Sequence, residues 1–301
     1  MYLYSDKPLQ ALTDRMEREL REDIGCIKEG RFGLMKSLYK FIFKASTGAI
    51  LNEKLAKDPN LLEFFMTFDN TMPLVLAGLP SSFFPAFQTA RDVLTTAIST
   101  HREDNCELYE KRWAYFDKLC KEGKIQDKDG SRAQLAIFWA SVSNTMPGTF
   151  WSVFHLLKSP VHLAKLEAEI KTIWPGFQQP NAPLCVNFDS LSQMVYLDAC
   201  ITETLRLVSG SLIMRSMHNA CTVTLPSGKT IKFRKGDQLG MCPPVIHRDG
   251  KIYINPGTYN PDRWILPTCD PKTGVEYTFT ERSNAANGRM SLFKDGVEIP
   301  G

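Results

Sequence analysis

Two short stretches decide the fold, Glu203-Thr-Leu-Arg206 and Pro261-Asp-Arg-Trp264. The first places an acid and an arginine three residues apart on a predicted helix. On helical periodicity alone both charged side chains lie opposite the apolar side, which predicts an exposed ion pair worth roughly 0.2–0.5 kcal/mol. The residues assigned to that apolar side are Leu197, Cys200, Ile201, Thr204 and Val208. The second stretch adds another arginine, placed by a proline and followed by an aromatic ring in an irregular segment.

A run of 25 residues without a charged side chain lies between Arg132 and Lys158. At about 1.5 Å per residue it could span a bilayer as a helix. Its midpoint, residues 141–145, is polar, whereas a membrane span concentrates its apolar residues there. The sequence therefore predicts the central helix of a large soluble core. Pro147 cannot donate to the carbonyl of Ser143, which predicts a kinked polar notch where a ligand would be met.

Helical patterns dominate as far as Val208, and strand patterns follow it. Thr222–Leu225 and Thr230–Phe233 flank Pro226-Ser-Gly-Lys229, which predicts a hairpin, and Gln238–Met241 is predicted to add a third strand. The predicted fold class is mainly α with a small β region in the C-terminal third.

Charge and cysteine usage exclude several classes of protein. The 36 basic and 33 acidic side chains give a net charge of +3, and the basic residues form no cluster of the kind that nucleic-acid binding needs. The eight cysteines contain no C-x-x-C pair, which argues against zinc knuckles and iron–sulfur sites. Their scatter is typical of reduced thiols in a protein that faces the cytosol.

Taken together, these features resemble cytochrome P-450, the haem-thiolate monooxygenase family. Glu203-Thr-Leu-Arg206 matches its E-x-x-R element and Pro261-Asp-Arg-Trp264 its P-x-R-[FW] element. The resemblance implies that Glu203, Arg206 and Arg263 form a buried structural triad that supports cofactor binding and takes no part in the reaction. It covers essentially the whole chain, from about the family's helix E to its meander, and implies one partial P-450 domain over residues 1–301.

The central helix identifies the branch. Residues 139–147 resemble the pattern of the sterol 7α-hydroxylase and prostacyclin synthase branch, in which asparagine replaces the acid that usually precedes the threonine. The resemblance implies that Thr145 donates its hydroxyl proton to dioxygen and that Asn144 orients water or substrate beside it. It also implies that Arg215 binds a haem propionate, with Arg248 a second candidate near the same haem edge or the substrate.

The same resemblance implies the cofactor, the partners and the location. The cofactor would be haem b, with electrons from NADPH delivered by NADPH–cytochrome P-450 reductase, and the substrate an apolar, sterol-like lipid. The enzyme would lie on the cytosolic face of the endoplasmic reticulum membrane, held by an N-terminal anchor outside these residues.

The haem loop of the family, F-x-x-G-x-x-x-C-x-G, is expected directly after Gly301, and none of the eight cysteines has that context. The sequence is therefore expected to be a fragment truncated at both ends, without the proximal thiolate and without a metal ligand of its own. Two alternatives stay open. One is a prostacyclin synthase-like isomerase acting on an endoperoxide, against which Thr145 counts, and the other is a catalytically dead helical remnant.

Overall fold

The computed structural model describes most of the chain. The described residues are 6–27, 30–102, 107–175, 187–225 and 227–265, together with the strand residues 268–269, 276–277, 292–294 and 297–299. They divide into two compact units, the first made of Met1–Val153 with Lys171–Gln193 and the second of Phe154–Ile170 with Met194–Gly301.

The first unit is built from helices. They are α1 (Asp6–Gly25), α2 (Leu34–Ile50), α3 (Glu53–Ala56), α4 (Leu61–Leu76), a 3₁₀ turn (Ser81–Phe83), α5 (Pro85–Thr100), α6 (Glu107–Lys121), α7 (Asp127–Val142), the first part of α8 (Thr145–Leu157), the end of α9 (Pro160–Ile173) and α10 (Phe188–Ser192).

The core of this unit is aromatic. The rings of Phe43, Phe65 and Phe138 meet pairwise at centroid distances of 5.2–5.6 Å, and all three are at most 2% exposed. Tilted and edge-on ring pairs of this kind add to the free energy gained by burying apolar surface. Because Phe138 belongs to α7, this packing holds that helix in the middle of the unit.

The predicted central helix is divided into α7 and α8. At its start, the Gln126 backbone N–H donates to Asp129 Oδ2 at 2.9 Å, and acids in the first turn suit the positive end of the helix dipole. The interruption predicted from Pro147 and the free carbonyl of Ser143 is confirmed as a break at residues 143–144, inside the polar stretch 141–145. Pro147 stands in the first turn of α8, where a missing N–H leaves no helical bond unmade.

The second unit combines helices with short antiparallel strand pairs. Its helices are the end of α8, most of α9, α11 (Val195–Val208), α12 (Pro243–His247) and a 3₁₀ turn at Pro261–Trp264. Its strands are β1 (Ile213–Ser216), β2 (Cys221–Thr224), β3 (Thr230–Phe233), β4 (Gln238–Met241), β5 (Thr268–Cys269), β6 (Glu276–Tyr277), β7 (Leu292–Lys294) and β8 (Val297–Ile299).

The predicted hairpin is confirmed, because β2 and β3 pair with Cys221 opposite Phe233. In the turn, Gly228 adopts φ +80°, a conformation that favours glycine, while Pro226 lies outside the described residues. The strand predicted at Gln238–Met241 is confirmed as β4, but it pairs with β1 and does not extend the hairpin. Strand patterns in a sequence indicate that a strand forms but not which partner it chooses.

The predicted class, mainly α with a small β region, is confirmed. Among the described residues, no helix combines the length and apolar character that crossing a membrane requires.

Candidate functional site

A buried charge cluster lies in the second unit. Arg206 donates two parallel hydrogen bonds to Glu203, from Nε to Oε2 and from Nη2 to Oε1, each 2.8 Å long. The two residues are 3% and 0% exposed, so the exposed pair predicted from periodicity is wrong. It is Ile201 and Leu205 of the same helix that face solvent, at 39% and 51% exposed. The helix turns its charged side inward because partners from distant segments satisfy it there.

Those partners come from the 3₁₀ turn at Pro261–Trp264 and the residue before it. Arg263 Nε donates to Glu203 Oε1 at 3.1 Å, the Asn260 backbone N–H to the same oxygen at 2.9 Å, and Trp264 Nε1 to Oε2 at 3.0 Å. With the two bonds from Arg206, the carboxylate accepts five hydrogen bonds. The sequence pattern does not predict the Trp264 bond, because P-x-R-[FW] also admits phenylalanine, which has no N–H to donate.

The two arginines also hold the segment between α12 and the 3₁₀ turn. Arg206 Nη1 donates to the carbonyls of His247 and Pro256 at 2.6 and 2.8 Å, and Arg263 Nη1 donates to that of Ile254 at 3.0 Å. Asn255, between two of those carbonyls, has φ +49°. A residue before proline is normally driven away from helical conformations, so these bonds hold a strained backbone in place.

The protonation state of Glu203 follows from its surroundings. Burial alone would raise its pKa, but the Arg206 guanidinium, the Asn260 N–H and the charge of Arg263 together hold the pKa below its usual range. Glu203 is therefore an anion with its bonding capacity taken up by protein groups. A carboxylate in this state supports the fold and has no hydrogen-bonding capacity left for a substrate.

Side chains of helix α9 contact the 3₁₀ turn and the start of α11. Lys165 Nζ contacts both carboxylate oxygens of Asp262 at 2.7 and 2.9 Å, and Glu169 accepts from the N–H groups of Tyr196 and Leu197 at 2.7 and 3.0 Å. The second contact caps the first turn of α11 and complements its dipole. These side chains were not singled out in the sequence, because nothing in their local pattern reports a contact with a distant helix end.

A different arrangement occurs where α7 gives way to α8 in the first unit. Asn144 and Thr145 are exposed, while Val142 and Met146 beside them are 0% and 1% exposed. Thr145 Oγ1 donates to the Ser141 carbonyl at 2.7 Å. A hydroxyl that donates once keeps two lone pairs free to accept, and it can pass its own proton outward after it rotates away from the Ser141 carbonyl.

The two candidate propionate ligands lie in the second unit. Arg215 is exposed on β1 and donates Nη1 to the Met214 carbonyl at 3.0 Å, and exposed Arg248 donates Nη2 to the Leu207 carbonyl at 3.0 Å. Each guanidinium makes its backbone contact through one terminal nitrogen. Their exposure and chemistry fit the carboxylates of a haem.

Cys200 does not fit the iron ligand of a haem-thiolate site. Cys200 is fully buried, and burial raises the pKa of its thiol to about 11, which keeps it protonated. The described residues contain no group of three or more histidine, cysteine, aspartate or glutamate side chains able to hold a metal. Arg215 and Arg248 can each donate to a carboxylate, whereas the buried thiol of Cys200 is unsuited to bind iron as a thiolate.

The structure brings Glu203, Arg206 and Arg263 into one cluster, and it places Asn144 next to Thr145 at the helix break. Arg215 and Arg248 each have their own backbone partner.

The chain matches a family model and several known proteins. The family model described as Cytochrome P450 matches residues 34–277. Rabbit (Oryctolagus cuniculus) cytochrome P450 7A1 is 32% identical over 256 residues, 80% of this chain and 50% of its own length. Cholesterol 7-alpha-monooxygenase of Cricetulus griseus is 29% identical over the same shares, and prostacyclin synthase of Bos taurus is 26% identical over 88% of this chain and 57% of its own.

The fold comparison agrees. A retinoic acid-bound cyanobacterial CYP120A1 superimposes with a TM-score of 0.60 at 17% identity, covering 87% of this chain and 59% of its own. The chain spans about half the length of the curated relatives it matches. The family match covers the helix break and the Glu203 cluster together, so the chain belongs to the cytochrome P450 family.

Proposed function

We propose that residues 1–301 form part of one cytochrome P450 domain, in an enzyme that hydroxylates a sterol or a similar apolar lipid. The reaction would use O₂ and two electrons that originate in NADPH. Family membership and the likeness to proteins named as cytochrome P450 7A1 and cholesterol 7-alpha-monooxygenase support this proposal.

The observation that carries it is the hydroxyl at the helix break. Thr145 Oγ1 is exposed, carries a proton and is held at 2.7 Å from the Ser141 carbonyl, so its position is fixed by the helix. A positioned acid or proton carrier typically contributes about 10²–10⁴-fold to rate. On rotating away from the Ser141 carbonyl, the Thr145 hydroxyl would give its proton to the oxygen being reduced and take another from water, and Asn144 would orient water or substrate through its amide.

The remaining residues would bind and support the cofactor. Arg215 and Arg248 would contact the carboxylates of haem b, and the Glu203 cluster would keep the backbone between α12 and the 3₁₀ turn in shape. When bound, haem supplies the oxygen activation and electron transfer that protein side chains cannot perform. The thiolate that binds its iron would come from outside the described residues.

The partner and location follow from the family likeness. The electron donor would be NADPH–cytochrome P450 reductase, and the enzyme would act at the cytosolic face of the endoplasmic reticulum membrane. The charge balance of the chain gives no support to a nucleic-acid partner.

A second candidate is an endoperoxide isomerase, favoured by the 26% identity to bovine prostacyclin synthase. An isomerisation neither consumes electrons from NADPH nor protonates dioxygen. The hydroxyl of Thr145 would then have no chemical task at the break, which is why the hydroxylase is preferred.

The test is to express the protein that the gene's transcript encodes, together with the reductase, and to supply NADPH, ¹⁸O₂ and a set of sterols. A hydroxylase gives a product that carries one ¹⁸O atom per NADPH consumed, and labelled water in place of labelled oxygen gives none. An endoperoxide rearranged without NADPH would establish the isomerase instead. A protein that does neither would contradict the proposal.

A further inference from the structure

A charge-assisted hydrogen bond joins α4 to α7. The indole Nε1 of Trp139 donates to Oδ1 of Asp69 at 2.7 Å, and both side chains are half-buried. Burial raises the pKa of Asp69, while the bond from Trp139 opposes that rise. Burial and, to a smaller extent, the charge of Asp69 raise the pKa of Tyr39 of α2.

Trp139 occupies the last turn of α7, directly before the helix break. Its carbonyl accepts the N–H of Ser143 at 2.9 Å, the bond that ends the regular helix. Two residues after Trp139, the Ser141 carbonyl accepts the Thr145 hydroxyl at 2.7 Å. The direction of that hydroxyl therefore depends on how the last turn of α7 is rotated about its axis.

Two kinds of contact act on that turn. On one side Phe138 and Val142 are 1% and 0% exposed and pack in the apolar core. Apolar burial resists removal of the turn from the core but sets no precise angle, because it is non-directional. A hydrogen bond to a charged acceptor weakens steeply when it is misaligned, so the Trp139–Asp69 bond is suited to set the rotation.

We propose that Asp69 and Trp139 are positioning residues, whose hydrogen bond fixes the rotation of the last turn of α7 and so aims Asn144 and Thr145. Neither side chain acts on the substrate. The inference rests on the proposed function only in its consequence for oxygen chemistry, since the effect on the helix end is a property of the 301-residue chain itself.

The first experiment measures amide hydrogen exchange at Ser143 in the 301-residue chain. Trp139→Phe removes the donor, Asp69→Leu removes the acceptor, and Asp69→Asn keeps an acceptor oxygen of similar shape. We expect the first two to speed exchange at Ser143 by about tenfold or more and the third to leave it close to the parent value. Unchanged exchange in both Trp139→Phe and Asp69→Leu overturns the inference.

A matched control removes an indole that has no such bond. Trp113 is 4% exposed, and its Nε1 has no hydrogen-bond partner among the described residues, so Trp113→Phe alters packing without removing a hydrogen bond seen there. It is expected to lower thermal stability while leaving exchange at Ser143 unaffected beyond that global loss. Equal acceleration at Ser143 by Trp113→Phe at matched stability would show a purely structural effect and overturn the inference.

The second experiment compares product formed per NADPH consumed in the transcript-encoded enzyme. Because an error of about 1 Å in placement can cost on the order of 10²-fold in rate, Trp139→Phe and Asp69→Leu should lower this ratio at least about tenfold with little change in KM. Asp69→Asn should restore it. Parent-like ratios in both variants contradict the inference, whereas a parent enzyme that makes no product contradicts the proposed function and leaves the exchange result standing.

Discussion

The Glu203 cluster and the α7–α8 break use polar side chains in opposite ways. In the cluster one fully buried carboxylate accepts five hydrogen bonds, and two buried arginines donate onward to backbone carbonyls. At the break an exposed hydroxyl donates one bond and retains its capacity to accept. A polar group whose partners are all fixed rigidifies a fold, whereas one with spare capacity in reach of a ligand can do chemistry.

The largest expected effect comes from breaking the cluster. Glu203→Ala leaves Arg206 and Arg263 buried without their anion, a change that costs about 3–5 kcal/mol. The matched control is Glu107→Ala, which removes a pair whose side chains are 60% and 58% exposed and should cost less than about 1 kcal/mol. Urea unfolding of the two variants measures both values. A loss below about 1 kcal/mol for Glu203→Ala would contradict the structural role of the cluster.

The next prediction contrasts tight packing with open space in the helices on either side of the break. A Cβ added at Gly130 of α7 would lie 3.0 Å from Cζ3 of Trp113, whereas one at Gly148 of α8 would meet nothing within 4 Å. Gly130→Ala should therefore lose about 1–3 kcal/mol through overpacking. Gly148→Ala should gain up to about 1 kcal/mol of helix propensity. Thermal unfolding distinguishes them, and equal shifts would show that the packing around α7 is not as described.

A smaller effect is expected where the arginines hold strained backbone. Asn255 has φ +49°, a region that costs a β-branched residue about 1–2 kcal/mol. Asn255→Val should lower the free energy of unfolding by that amount. Asn255→Gly should be close to neutral, because glycine tolerates the conformation but loses more entropy on folding. Unfolding curves that place valine level with glycine would contradict the assigned backbone.

The smallest expected effect concerns alkaline pH. Burial raises the pKa of Cys200, one turn before Glu203, from 9.0 to about 11. The thiol ionises at a lower pH in the unfolded chain than in the folded one. Its contribution to stability is therefore complete below pH 9 and is lost as the pH rises towards 11. Unfolding measured across that range should be less pH-dependent in Cys200→Ala. An identical pH dependence in the parent and the variant would contradict the burial of the thiol.

The sequence predicted the main features of the fold but not the orientation of α11. Local spacing of residues made three features predictable from the sequence: the two motifs, the run without charges and the β2–β3 hairpin. Periodicity placed Glu203 on the solvent side because a single helix carries no record of Arg263, which arrives from a distant segment. The Asp69 bond was not predicted for the same reason, and the Trp264 bond was not predicted because its motif position also admits phenylalanine. Pro147 predicted the interruption correctly, because its missing N–H frees the carbonyl four residues earlier, where the helix breaks.

The most direct test of the central claim is the coupling of NADPH consumption to product in Thr145→Val. Valine keeps the shape of threonine and removes the hydroxyl, so NADPH consumption should persist while product per NADPH falls, with peroxide formed in its place. Thr67→Val is the matched control, because Thr67 on α4 is a partly exposed threonine whose hydroxyl also donates back to the helix, to the Glu63 carbonyl at 3.0 Å. The account predicts a fall of about 10²–10⁴-fold in the rate of product formation for Thr145→Val and none for Thr67→Val. Full coupling in Thr145→Val would contradict it.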